Sequence, residues 1–512
     1  MPHTALHLSR RQTLALALAA PIAPSWAAAD KDALNIAAPW EINSLEPSRA
    51  GYVFSRLQVS ETLVEVDTEG ALAPGLAAAW EVSANQRLWR FTLRAGARFH
   101  DGSPVTAAHV AQVLQRAHKA PGVLGSTPLQ KISADGNVVL LELGRPFTAL
   151  PAFLAHTSTQ ILAPGAYAAD GSVQAVIGSG PYQISRLEAP QKVTLERFDG
   201  WQGPRPAIAK VSYLAVGRGE TRNLLATSGQ ADLVFTHDPA NFARLQSNKA
   251  LQFHTLPIPR TLYLKVNAGH PFLKDVHVRR ALSLAINRAG IASAVLREPR
   301  AAATQLFPPG LGEWHVAGLQ PLVRDLPQAR ALLQAAGWTP GADGMLQRNG
   351  QAFKLTLRTF PDRPELPVVA TALQAQLKTI GIDVAVTVGN SSEIPAGHQD
   401  GSLELALLAR NYGLVPDPMG TLLQDFGQNG GDWGAMGWSS ALVRESLQTL
   451  SSTSDANRRS AQRGAITTVL QAELPVIPIA WYQHTATSSK RLGRVVIDPL
   501  ERSYRIDRMA WA

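Results

Sequence analysis

The chain of 512 residues contains no cysteine. That absence removes disulfides, thiolate metal ligands and a catalytic thiol together. It also removes the lipidated cysteine that anchors many exported proteins. Long apolar runs are missing beyond the N-terminal leader, so no segment approaches a membrane span. The signatures of common enzyme chemistries are absent too. There is no G-x-S-x-G elbow, no H-E-x-x-H, no S-x-x-K with its partners and no phosphate-binding P-loop. Beyond the leader, no two histidines stand at the H-x₃-H spacing that holds a metal on a helix. Lys and Arg number 48 against 39 Asp and Glu, for a net charge of +9. These charges are scattered, with no dense basic tract and no nucleic-acid motif, so they read as solubility with room for a mildly anionic ligand. The 40 glycines and 35 prolines are spread out and form no low-complexity tract. No internal repeat appears. The length exceeds what one core comfortably supports, which implies two or three domains.

What is present begins with an export leader. Ser9-Arg10-Arg11 precedes the apolar run Thr13–Pro24, and small residues follow up to Asp30. A basic start, a short apolar core and small-x-small residues mark a cleaved signal, with Ala27 or Ala29 as the last residue removed. Pro21 and Pro24 interrupt the run and make it too short to span a bilayer. Arg10-Arg11 also suits a twin-arginine signal, although Thr13 stands where that signal carries Phe, and Ala15 where it carries Lys. Both export routes fit. A cleaved, cysteine-free, exported chain is expected to be soluble in a periplasm and not lipidated.

The segment from Leu76 to Val110 reads as strand, turn and helix start. Trp89, Phe91 and Leu93 alternate at period two, as in a half-buried strand. Asp101-Gly102 is a turn signal, and Thr106 is placed to cap the next helix. With Trp80, Ser83, Arg94, Gly96, Phe99, His100, Pro104, Ala107 and Val110 in register, the segment resembles the most recognisable stretch of the peptide/nickel solute-binding proteins of ABC importers, family 5. His100-Asp101 invites a general-base reading, but the family carries the pair there as part of a turn. Further matches follow in order. Gly178-Ser179-Gly180-Pro181-Tyr182 resembles the family's G-[ST]-G-P turn; a phosphate loop is the poorer reading, since no Lys-Ser/Thr follows and Pro181 removes an amide donor. Pro271-Phe272 and Val276 to Arg288 resemble its central helix. Asp325 to Trp338 resembles its "A-x-x-L-L-x-x-A-G-[WY]" helix, closed by Gly337. Pro367 to Ile380 reads as a long helix ended by Gly381, with a strand after it.

The resemblance implies an α/β fold of two lobes around a cleft, the type II periplasmic-binding-protein fold, with an extra subdomain in the first lobe. After a leader at 1–29, it implies lobe I at 30–268, lobe II at 269–487 and a return to lobe I at 488–512. The crossings between lobes would then lie near Asn267 and Ser488-Ser489-Lys490. Such lobes close on a ligand by hinge motion. The resemblance also implies a monomer that hands its ligand to permease subunits of the inner membrane, powered by a separate ATPase. No enzyme activity, resident cofactor or nucleic-acid partner is expected, and a metal enters only as part of the ligand.

The ligand reading centres on Leu405 to Pro418. An apolar strand delivers Arg410, Asn411 and Tyr412 to a Gly/Pro loop where the family lines its cleft. The spacing from Arg410 to Asp417-Pro418 matches nickel-chelate binders. Leu414 stands where dipeptide binders keep an aspartate for the peptide amine, and a buried ammonium without its partner is costly. Arg410 would fork onto a ligand carboxylate, or else pair with a structural acid such as Asp417. Tyr412 would stack on the ligand or hydrogen-bond to it. Trp433 and Trp438 on a Gly-rich loop, and Tyr52 after Leu45-Glu46-Pro47, where the family's first loop reaches the cleft, are further candidate contacts. Other nickel features are missing: Ala120–Pro128 carries no charge, and no arginine precedes the Ile161–Pro164 turn. His118 and His156 are the histidines available to touch metal or ligand. The reading leans slightly to a metal chelate over an oligopeptide. Peptide binding with chaperone-like breadth, mainly through the backbone, is the alternative.

Overall fold

A computed structural model describes residues 32–67, 70–413, 415, 417–427 and 430–512. The expected leader lies outside them. Among the described residues, no helix is long and apolar enough to cross a membrane.

The architecture is built on one sheet of ten strands. Its order is Asp383–Val388, Lys354–Thr359, Leu405–Asn411, Leu251–Val266, Val476–Ser489, Leu233–Phe235, Ala33–Ala38, Lys210–Ala215, Lys192–Arg197 and Tyr182–Glu188. The two middle strands, Leu251–Val266 and Val476–Ser489, are far longer than their neighbours and run antiparallel. Their outer parts face different partners. Residues 260–266 pair with Leu405–Asn411, while residues 486–488 pair with Leu233–Phe235. The sheet therefore has two halves joined by two continuous strands, a two-lobed α/β fold.

The segment singled out above lies in a separate sheet of four strands, ordered Ala77–Val82, Leu88–Leu93, Val138–Leu143 and Leu129–Asp135. Trp89, Phe91 and Leu93 point inward at 8, 0 and 2 % exposure, with Arg90 and Thr92 in solvent between them. Burying a ring such as Phe91 contributes about 2–3 kcal/mol. The Thr106 hydroxyl accepts the His109 amide at 3.3 Å and caps the helix Ala107–Lys119. The His100-Asp101 pair is a turn. Asp101 accepts the Ser103 amide at 2.9 Å, and the His100 ring bonds the Gly180 carbonyl at 3.0 Å. Burial lowers the His100 pKa to about 4, so the ring is neutral. That contact joins the first motif to the Gly178–Tyr182 turn. Asp325 caps the helix Leu326–Ala335 through the Gln328 amide at 2.9 Å.

One apolar core runs from the four-stranded sheet into the second lobe. Its seam lies where Val123 and Phe153 meet the helix Met419–Phe426. A Cβ on Gly420 of that helix would stand 3.5 Å from both. Nearby, the Thr148 amide donates to the Ser451 carbonyl at 2.9 Å. A second core lies under the other half of the large sheet and includes Tyr182, Tyr213 and Phe235.

Candidate functional site

The two long strands lose register between Pro257 and Thr261. Proline carries no amide hydrogen, so Pro257 and Pro259 cannot continue a ladder in the middle of a sheet. At this break a cleft of about 770 Å³ opens, floored by Pro257, Ile258 and Pro259 on one strand and Trp481, Tyr482 and Gln483 on the other. The segment Pro308–Trp314, Gly413, Val415, Asp417 and Pro418 line it from the second lobe, and Leu500 from the C-terminal return.

The walls are largely apolar and aromatic. Trp314 is 4 % exposed and packs on Phe307 with ring centroids 5.3 Å apart. The Trp481 indole donates to the Gln305 carbonyl at 3.1 Å, and the Tyr482 hydroxyl accepts from Arg363 at 2.9 Å. The Arg260 and Arg363 guanidiniums lie 5.2 and 4.9 Å from the Tyr482 ring. Charges at the rim come in pairs: Arg300 with Glu298 at 3.2 Å, Arg463 with Glu313, and Asp417 with Arg459 at 3.4 Å.

Behind the floor, Arg260 forms an ion pair with Glu501, their side chains 5 and 1 % exposed. Asn411 donates to Glu501 at 3.1 Å, and the His484 ring lies 3.3 Å from it. Burial pushes the Glu501 carboxyl up, but Arg260, His484, Arg56 and Arg363 together hold it well below the usual carboxylate range. This cluster ties both long strands to the C-terminal return and to the second lobe.

Of the residues singled out from sequence, Asp417 lines this cleft, and Arg410, Asn411, Tyr412, Tyr52, Trp433 and Trp438 do not. Arg410 is bound through Nε and Nη2 to Asp425 at 2.7 and 2.8 Å, and the Asp425 side chain is 2 % exposed. The structural acid is thus Asp425, fifteen residues on, and Asp417 belongs to Arg459. Tyr412, expected to touch the ligand, is fully buried with its ring edge-on to Phe307 at 5.2 Å. Strand alternation puts it on the same face as Arg410, and the helix Met419–Phe426 covers that face through Asp425. Asn411 is buried at 5 % and serves Glu501. Trp438 is 9 % exposed and donates to Glu473 at 2.6 Å. Trp433 is half-buried; its carbonyl accepts the Tyr263 hydroxyl and its ring lies 6.3 Å from Phe360. Tyr52 is half-buried beside Arg56, with 5.2 Å from guanidinium to ring.

The His156 Nδ1 accepts the Ser158 amide at 3.1 Å, which leaves its proton on Nε2 and no lone pair for a metal. Burial, with Arg502 and Arg410 close by, lowers its pKa to about 3. His118 bonds the Leu124 carbonyl through Nδ1 at 3.0 Å. Among the described residues no group of three or more His, Asp or Glu is placed to hold a metal ion. The residues missed from sequence are Trp314, Arg463, Trp481 and Tyr482. The signal that could have found them is the Pro257-x-Pro259 pair inside the strand Leu251–Val266.

Comparison with known proteins agrees with the two-lobed fold. The profile described as "Bacterial extracellular solute-binding proteins, family 5 Middle" matches residues 71–433. The nickel-binding periplasmic protein of Escherichia coli (strain K12) is 26% identical over 501 residues, covering 92% of this chain and 93% of that one. Two solved structures share the fold. NikA from Staphylococcus aureus in complex with Ni(L-His)2 has a TM-score of 0.82 at 21% identity, covering 94% of this chain and 99% of the other. The oligopeptide-binding protein AppA from Bacillus subtilis in complex with a nonapeptide also has a TM-score of 0.82, at 19% identity, with 94% of this chain and 98% of the other covered. The chain belongs to the bacterial extracellular solute-binding proteins, family 5.

Proposed function

We propose that this chain is the exported, periplasmic binding component of an ABC importer, which takes an organic ligand into the cleft at the strand crossing. It passes that ligand to membrane permease subunits driven by a separate ATPase. The observation that carries the reading is the position of the cleft. It opens where the two long strands that join both halves of the sheet lose register, so residues that contact a ligand also sit at the pivot between lobes. The crossings then lie at Pro257–Thr261 and Trp481–His484, inward of Asn267 and Ser488. Catalysis and a resident cofactor form no part of the reading.

A short peptide or a related organic acid suits the cleft best. The lining is rich in Trp, Tyr and Pro, and its charges are few and paired. Support for a carboxylate-rich chelate rested on Arg410, whose guanidinium is held by Asp425. The nickel-binding relative keeps the chelate as the second reading, with any metal arriving inside the ligand. Native mass spectrometry of protein taken from a periplasmic extract, with elemental analysis of the same sample, separates the two. Metal-free peptide or organic-acid masses support the first reading. A bound mass with stoichiometric nickel replaces it with the second.

A further inference from the structure

The arginines around the cleft differ in what answers their charge. Arg410 faces Asp425 and Arg260 faces Glu501, carboxylates whose side chains are 2 and 1 % exposed. Neither acid has water to retreat into. Arg300 is 88 % exposed and stays solvated. Arg463 belongs to none of these cases. Its side chain is 11 % exposed, yet its carboxylate partner Glu313 is 68 % exposed. Its Nε is buried and has no acceptor among the described residues. Burial holds its pKa below the ordinary arginine value. Its guanidinium lies 5.8 Å from the Trp314 ring centroid, and both residues line the cleft. Glu313 sits on the short helical segment Pro309–Trp314, which bends at Gly312, where φ is +57°.

We propose that Arg463 is the anchor for a ligand carboxylate, that Glu313 is the counter-ion it releases, and that Trp314 supplies the flat apolar face beside it. This rests on the cleft being the ligand site. A guanidinium presents a planar fork that matches a carboxylate at two points. The exchange costs little on the outgoing side, because an exposed carboxylate returns to water it has scarcely left. The incoming carboxylate meets a cation already stripped of most of its water, where a charged hydrogen bond is stronger. Asp417 is not a competing carboxylate for Arg463, since Arg459 and the Met419 amide, at 2.9 Å, hold it.

The test uses the mature full-length protein and two tripeptide mixtures of identical sequence, one with free C-terminal carboxyls and one with C-terminal amides. Retained masses are read by native mass spectrometry and affinities by calorimetry. The wild type should retain the free acids in preference to the amides. Arg463→Gln should lose that preference, with affinity for the acids about tenfold lower. Glu313→Gln, a change at an exposed side chain, should bind the acids more tightly by removing the internal competitor. Equal retention of acids and amides by the wild type overturns the role of Arg463 while leaving the cleft as the ligand site. Glu313→Gln binding more weakly also overturns it. Retention of neither mixture overturns the peptide reading of the cleft and this proposal with it.

Discussion

Arg410 stood out in the sequence because a charged residue follows an apolar strand into a Gly/Pro loop. Its pairing shows why such a signal misleads: a carboxylate fifteen residues away reaches the same sheet face through a helix. Removing one partner of a buried pair leaves the other charge without compensation, at about 3–5 kcal/mol. Arg410→Ala should therefore lower the stability of the fold by that order in urea denaturation, and Arg410→Met combined with Asp425→Leu should recover most of it. His237 gives a second prediction at this scale. Its ring is 2 % exposed and bonds Asn223 at 2.6 Å and Thr487 at 2.9 Å. Burial, helped by Arg222, lowers its pKa to about 3. Between that value and the unfolded value near 6.5, the unfolded chain binds a proton that the native state refuses. Stability from this group thus falls as pH drops through that window, by about 1.4 kcal/mol per pH unit. His237→Gln should make the acid limb of stability against pH shallower by one proton; an unchanged slope would show that His237 titrates normally.

The elements were legible where local chemistry decides them. Period-two burial at Trp89, Phe91 and Leu93, the Thr106 and Asp325 caps and the glycine helix ends all depend on neighbours within a few residues. The cleft was not legible, because Trp314 lies far before Arg463 and Trp481 in the chain and meets them only through the fold. Tyr412 was misread because alternation fixes which face a residue takes and not what covers that face. Two glycines show the same division. Gly102 has φ of +83° with nothing within 4 Å of a built Cβ, so Gly102→Ala should cost about 1 kcal/mol of backbone strain. Gly180 has an ordinary φ, but a Cβ there would stand 2.2 Å from the Gln58 carbonyl oxygen. Gly180→Ala must displace backbone and should cost about 3 kcal/mol or more. Calorimetric melting should rank Gly180→Ala well below Gly102→Ala; the reverse order would mean that the turn can move aside.

Across the whole molecule, the seam of Val123, Phe153 and Gly420 presses the four-stranded sheet's subdomain against the second lobe. Gly420→Trp should wedge it apart, raising the radius of gyration in small-angle scattering and weakening ligand capture. No change in size would show that this contact does not set the spacing. The order of the large sheet has a further consequence, for the making of the protein. Val476–Ser489 lies between Leu233–Phe235 and Leu251–Val266, and Tyr504 stacks on Phe235 with ring centroids 4.5 Å apart. Until Val476–Ser489 leaves the ribosome, the sheet is two fragments without the strand that joins them. Pairing over such sequence distances is slow. The growing chain therefore carries two unjoined sheet fragments until that strand is made, and its native topology assembles only after it.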